Sequence, residues 1–180
     1  MFSRILAKLV DEAILPAVVL VVVRVLSVLF FGNYFGFDVT FSRAGFIYGN
    51  SESFLVVNSY STLAMICVIA VGLLYVLIKS YIFHDTHVHP RIAARLFSLK
   101  LSSFIQASFD VYSQGAIWLS YSYLMTLAAG AMWYFGIIYS WIFYVGLVLS
   151  LLGTYFLILD VEKEFKPEKK FTPALGEDEE

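Results

Sequence analysis

Apolar runs long enough to cross a bilayer alternate with short polar connections along this 180-residue chain. The first, AILPAVVLVVVRVLSVLFF, occupies 13–31; the others occupy 54–78, 116–135 and 137–159. Each approaches or exceeds the ~18 apolar residues that a helix needs to span a hydrocarbon core. The pattern predicts an all-α membrane protein of four transmembrane helices. An N-terminal amphipathic helix precedes them, and a cytoplasmic helical extension leads into the third span. Residues 1–160 form one transmembrane domain, and the abruptly polar 161–180, with two prolines and an acidic end, reads as a disordered cytoplasmic tail.

Local signals refine these elements. Phe2, Ile5, Leu6 and Leu9 recur at helical spacing opposite Arg4 and Lys8, which predicts a short surface helix over 1–12. The apolar run after it is not a cleaved leader: Asp11 and Glu12 precede it, Arg24 interrupts it, and no small-residue cleavage site follows. Pro16 falls in the early turns of the predicted span, where its missing amide costs little. Residues 32–53 are rich in glycine, asparagine and aromatics and read as a loop. Within them FDVTF alternates in a way that allows a short hairpin, and Tyr34, Phe35, Phe41, Phe46 and Tyr48 suit a headgroup-level belt. From Pro90 a helical pattern resumes. Unbroken from Arg91 through the third span it would measure roughly 65 Å, twice the hydrocarbon thickness, so either it projects into the cytosol or it breaks, with Ser113-Gln114-Gly115 the expected place for a break.

Composition supports this class. The chain is 60% hydrophobic and 14% charged, with a mean hydropathy of +0.80, against about 25% charged residues in soluble domains. The net charge of -2 says little, but the placement of the bases says much. With both termini on one side, that side holds Arg4, Lys8, Lys79, Arg91, Arg95, Lys100, Lys163, Lys166, Lys169 and Lys170, and the opposite side holds Arg43 alone. This asymmetry predicts cytoplasmic termini in a plasma (inner) membrane. Cys67 is the single cysteine, so no internal disulfide forms, and its apolar surroundings read as packing.

Four groups of residues are candidates for chemistry. Arg24 lies inside the first span, about 10 Å from its outer end, where it either snorkels or pairs with Asp38 or Glu52. Gln106, Asp110 and Gln114 recur every four residues and form a polar stripe at the cytoplasmic boundary, too far in depth to meet Arg24. Ser122, Thr126 and Gly130 on the third span, and Gly146, Ser150 and Thr154 on the fourth, form two rows of small residues suited to close packing within the chain or in a homodimer seam. Finally, YIFHDTHVHPR places His84, Asp85, His87 and His89 together, a ligand set suited to a transition metal. No cysteine or second ligand pair completes a shell, so a titratable turn between two helices is the preferred reading and no cofactor is expected. Tyr121 and Tyr123 lie deeper than the outer aromatics and point in different directions, so one of them could line a polar cavity.

Paired histidines for a haem, C-x-x-C, H-E-x-x-H, G-x-S-x-G and the P-loop are all missing from the sequence. The dispersed bases serve topology and do not make a nucleic-acid surface. The leading expectation is a non-catalytic structural or accessory subunit of a membrane complex, with the bilayer and other subunits or its own copies as partners. Oligomeric transport of an ion or small solute is the alternative, and a membrane-embedded metalloprotein ranks below it.

Overall fold

Helix α1 runs unbroken from Phe2 to Tyr34, with Pro16 inside it. The computed structural model describes residues 2–43, 45–83, 95, 98, 99 and 108–165; the side chains of 2–9, 11, 82, 83, 108–111 and 163–165 lie outside that description. The expected surface helix over 1–12 and the span over 13–31 are therefore one element. No glycine separates them, and Pro16 is accommodated without a break. A proline ring opens the carbonyls one turn before it. One of those, on Ala13, accepts a hydrogen bond of 3.0 Å from the Tyr121 hydroxyl of a neighbouring helix.

Where α1 stops, the cause is local. Gly36 adopts φ +68°, its amide donates to Asn33 O at 3.1 Å, and the Phe37 amide donates to Gly32 O at 2.8 Å. This is a Schellman end, which needs a residue tolerant of positive φ. The same device closes the helix that ends at Tyr134: Gly136 adopts φ +70°, its amide donates to Trp133 O, and the Ile137 amide donates to Met132 O.

Between α1 and α2 stands the hairpin that FDVTF allowed, with β1 (Val39–Ser42) antiparallel to β2 (Gly45–Tyr48). Phe41 faces Phe46 across it, ring centroids 5.3 Å apart. The hairpin rests on α1 where side-chain space vanishes: a Cβ on Gly32 would lie 2.8 Å from Val39 Cγ2.

Helix α2 covers Ser51–Phe83, longer at both ends than the expected 54–78. Asn50 caps it: Ser53 N donates to Asn50 Oδ1 at 2.6 Å, and Asn50 N donates back to Ser53 Oγ at 3.2 Å. Helix α3 covers Ser108–Tyr134 and passes straight through Ser113–Gly115, the expected place for a break. Gly115 is there for packing: a Cβ would sit 3.0 Å from Leu157. The extension from Arg91 falls almost wholly outside the described residues. Helix α4 covers Ser140–Phe165, so the first residues of the expected tail are helical; 166–180 are outside the description.

Two contacts set the course of the helices. The Tyr139 amide donates to Ser59 Oγ at 2.9 Å, and at the other end the Ser80 hydroxyl donates to Asp160 Oδ2. Helices α2 and α4 therefore run parallel, and α3 returns antiparallel, packed against both. Helix α1 packs mainly on α2. Leu20, Ile66, Ile69, Leu73, Met125, Ala129, Ile138 and Ile142 form the core. Trp118 lies flat on Gly72, where a Cβ would come within 2.5 Å of the indole.

Among the described residues three helices hold stretches long and apolar enough to cross a membrane: Glu12–Tyr34, Ser51–Tyr81 and Ser140–Glu162. Helix α3, expected as a span over 116–135, does not reach that hydropathy, because serines, tyrosines and two tryptophans dilute its leucines and alanines.

Candidate functional site

The most polar contact between helices is built on Arg24. Helix α1 extends to Tyr34, so Arg24 stands near the middle of the apolar stretch, about 15 Å from the helix end and deeper than the 10 Å that an end at Phe31 implied. Its guanidinium turns to α2. Nη2 donates to Asn58 Oδ1, and Nη1 donates to Ser61 Oγ, to Thr62 Oγ1 at 3.2 Å and to Asn58 O at 3.4 Å. Asp38 and Glu52, the expected partners, are exposed at the hairpin end, and among the described residues Arg24 forms no ion pair with either.

Local geometry explains why α2 receives it. Asn58, Ser61 and Thr62 stand at i, i+3 and i+4 and so share one helix face, buried toward α1. Asn58 is itself held: Nδ2 donates to Phe54 O at 2.8 Å, which aims Oδ1 at Arg24. The hairpin closes the site from above. Tyr48 OH donates to Asn58 Oδ1 at 3.4 Å, and burial holds this phenol above its ordinary pKa, partly offset by the Arg24 charge and that hydrogen bond. The arrangement fixes α1, α2 and β2 to one another through a buried cation and neutral oxygens. It offers no nucleophile paired with a base.

The signal for this site was in the sequence. VVNSYST within the second apolar run carries three polar residues on one face, but a predominantly apolar run absorbs such residues without losing its character. The second unforeseen group is Asp160, which the sequence places just past the expected fourth span. It is 2% exposed, its Oδ2 holds Ser80, and its Oδ1 is buried with no hydrogen-bond partner among the described residues.

The small-residue rows meet at the α3–α4 seam. Ser122 Oγ and Ser150 Oγ lie 2.9 Å apart, Thr126 Oγ1 and Ser150 Oγ 3.0 Å, and a Cβ on Gly146 would sit 3.0 Å from Thr126 Oγ1. Thr154 bonds Tyr123 OH at 2.7 Å, and Gly130 faces the Phe143 ring. Tyr121, a candidate for lining a cavity, borders an apolar groove of about 490 Å³ between α1 and α3 that also includes Ala13 and Ser113. At that end Ser113 Oγ donates to Glu12 Oε2 at 3.3 Å.

Of the polar stripe, Gln114 is half-buried on α3, Asp110 lies on α3 with its side chain outside the description, and Gln106 is outside it altogether. Among the described side chains Arg24 bonds Asn58, Ser61 and Thr62 and not Gln114. His84, Asp85, His87 and His89 are also outside the described residues, and among the described residues no three potential metal ligands come together. No family model, curated protein or solved structure matches this chain.

Proposed function

We propose that this chain is an integral membrane protein of four spans that serves as a non-catalytic structural or accessory subunit of a membrane complex, both termini facing the cytoplasm. One observation carries the reading: the polar side chains between the helices are engaged in cross-helix hydrogen bonds. Arg24 is held by α2, Ser150 by Ser122 and Thr126, and Tyr121 by the proline-opened turn of α1. Apolar core residues such as Leu20, Ile69 and Leu73 lie between the Arg24 site and the Ser80–Asp160 pair. That layering supports a packed bundle over a conducting path.

The parallel course of α2 and α4 supports a fourth span. If both cross the bilayer, the chain has to return through α3, and its 27 residues measure roughly 40 Å. The hairpin then lies on the outer side, which carries a single base.

Two measurements test this. Alkaline carbonate should leave the protein in the membrane fraction, and purification in mild detergent should retain foreign subunits in fixed stoichiometry. Solute flux through purified, reconstituted protein, lost on Asp110→Ala, would overturn the accessory reading in favour of transport.

A further inference from the structure

We infer that the α1 flank beside Arg24 docks a transmembrane helix of another chain, one that carries a carboxylate at the depth of Arg24. This rests on the reading of the chain as a membrane subunit and names the chemistry of its partner.

The guanidinium is cationic, and all four of its hydrogen bonds end on neutral oxygens of Asn58, Ser61 and Thr62. Such bonds satisfy donors but leave the charge uncompensated, and a charge within hydrocarbon calls for an anion. Arg24 is half-buried at the α1–α2 seam, and next to it along α1 stand Val21 and Val25, 64% and 38% exposed. A helix laid against Val21 and Val25 would bring its side chains to the open edge of the guanidinium.

Depth selects the occupant. The acceptors of Arg24 begin seven residues into α2, about 10 Å below its start, so the cation sits inside the hydrocarbon and below the level of lipid phosphate. Nor do the described acidic residues of a second copy of this chain supply the anion at that depth. Among the described residues Asp38 and Glu52 are exposed at the hairpin end, while Glu12 and Asp160 lie at the opposite end. A carboxylate on a foreign helix is the complement that remains.

The probe is a synthetic leucine–alanine transmembrane helix bearing one glutamate in its outer half, compared with the same helix bearing glutamine. Association with the full chain is read by energy transfer in phosphatidylcholine vesicles, after carbonate resistance has shown that the chain is inserted. The glutamate helix should bind about tenfold more tightly than the glutamine helix. Arg24→Gln should abolish that preference and Arg24→Lys should keep part of it. Val21→Trp, which leaves every Arg24 bond in place, should block both helices. Equal binding of the two helices to the inserted wild-type chain, or binding unaffected by Val21→Trp, overturns the inference and leaves the membrane-subunit reading standing. Loss of the glutamate preference when phosphatidylglycerol replaces part of the lipid also overturns it, by assigning the site to lipid phosphate. Failure of insertion overturns the underlying reading itself.

Discussion

At the α1–α2 seam a long cationic side chain reaches across and gathers a carboxamide and two hydroxyls; at the α3–α4 seam the side chains are cut back to glycine, serine and threonine so that the backbones come close. The first seam is held by directed bonds to one residue. The second is held by fit, with hydroxyls completing one another locally. In lipid, where apolar side chains gain little by leaving their surroundings, both means are available: strong polar contacts and close van der Waals approach. They fail differently. A charge-based seam is sensitive to loss of an acceptor, and a close-packed seam is sensitive to gain of volume.

The largest expected effect strikes the packed seam. Gly146→Leu forces a branched side chain into the space occupied by Thr126 and should cost about 3 kcal/mol, the upper end for overpacking; denaturation in mixed micelles would show the loss, and a near-wild-type midpoint would refute the seam's dependence on close approach. Next comes the charged seam. Asn58→Leu removes the Oδ1 that accepts from both Arg24 and Tyr48, while the Asn58 carbonyl stays, and should cost about 2 kcal/mol. Asn58→Asp sharpens the comparison, because it places a carboxylate under the cation and should recover stability that Asn58→Leu loses. A smaller loss, about 1 kcal/mol, is expected of Ser150→Ala, which removes the hydroxyl shared by Ser122 and Thr126 but leaves the backbones close. If Ser150→Ala costs as much as Gly146→Leu, hydroxyl bonding and not fit dominates that seam.

The smallest effect is a pH dependence confined to the charged seam. Burial holds Tyr48 above its usual value of 10.0, so the fold favours the neutral phenol. Its contribution is complete below about pH 10 and is lost as pH rises through the raised folded value. A stability profile in micelles should therefore fall faster for wild type than for Tyr48→Phe on the alkaline side, and parallel profiles would count against a buried phenol.

Much of the architecture is legible from residue order. Apolar runs announce the long helices and FDVTF allows the hairpin, whereas the glycine-made helix ends at Gly36 and Gly136 emerge only from the backbone geometry. Helix boundaries are less legible, because a helix end depends on what caps it: α1 absorbs the predicted surface helix, and α3 ignores Ser113-Gln114-Gly115 because Gly115 faces Leu157. The Arg24 site is half legible. A charge in an apolar run draws notice, but its partners are two hydroxyls and a carboxamide in another apolar run, and nothing local distinguishes Asn58 from a polar residue facing lipid.

What residue order determined by itself is the class of the fold: apolar length dictates long helices, three of them among the described residues long and apolar enough to cross a membrane, and the spacing of Asn58, Ser61 and Thr62 dictates that they share a face. Tertiary structure alone decided which face meets which. That α1 lies against α2 with Arg24 opposite Asn58, that Ser80 reaches Asp160 across eighty positions of sequence, and that Trp118 lies on Gly72 are matters of helix register and crossing. Those are set by the packing of whole helices, and no short stretch of sequence carries that sum.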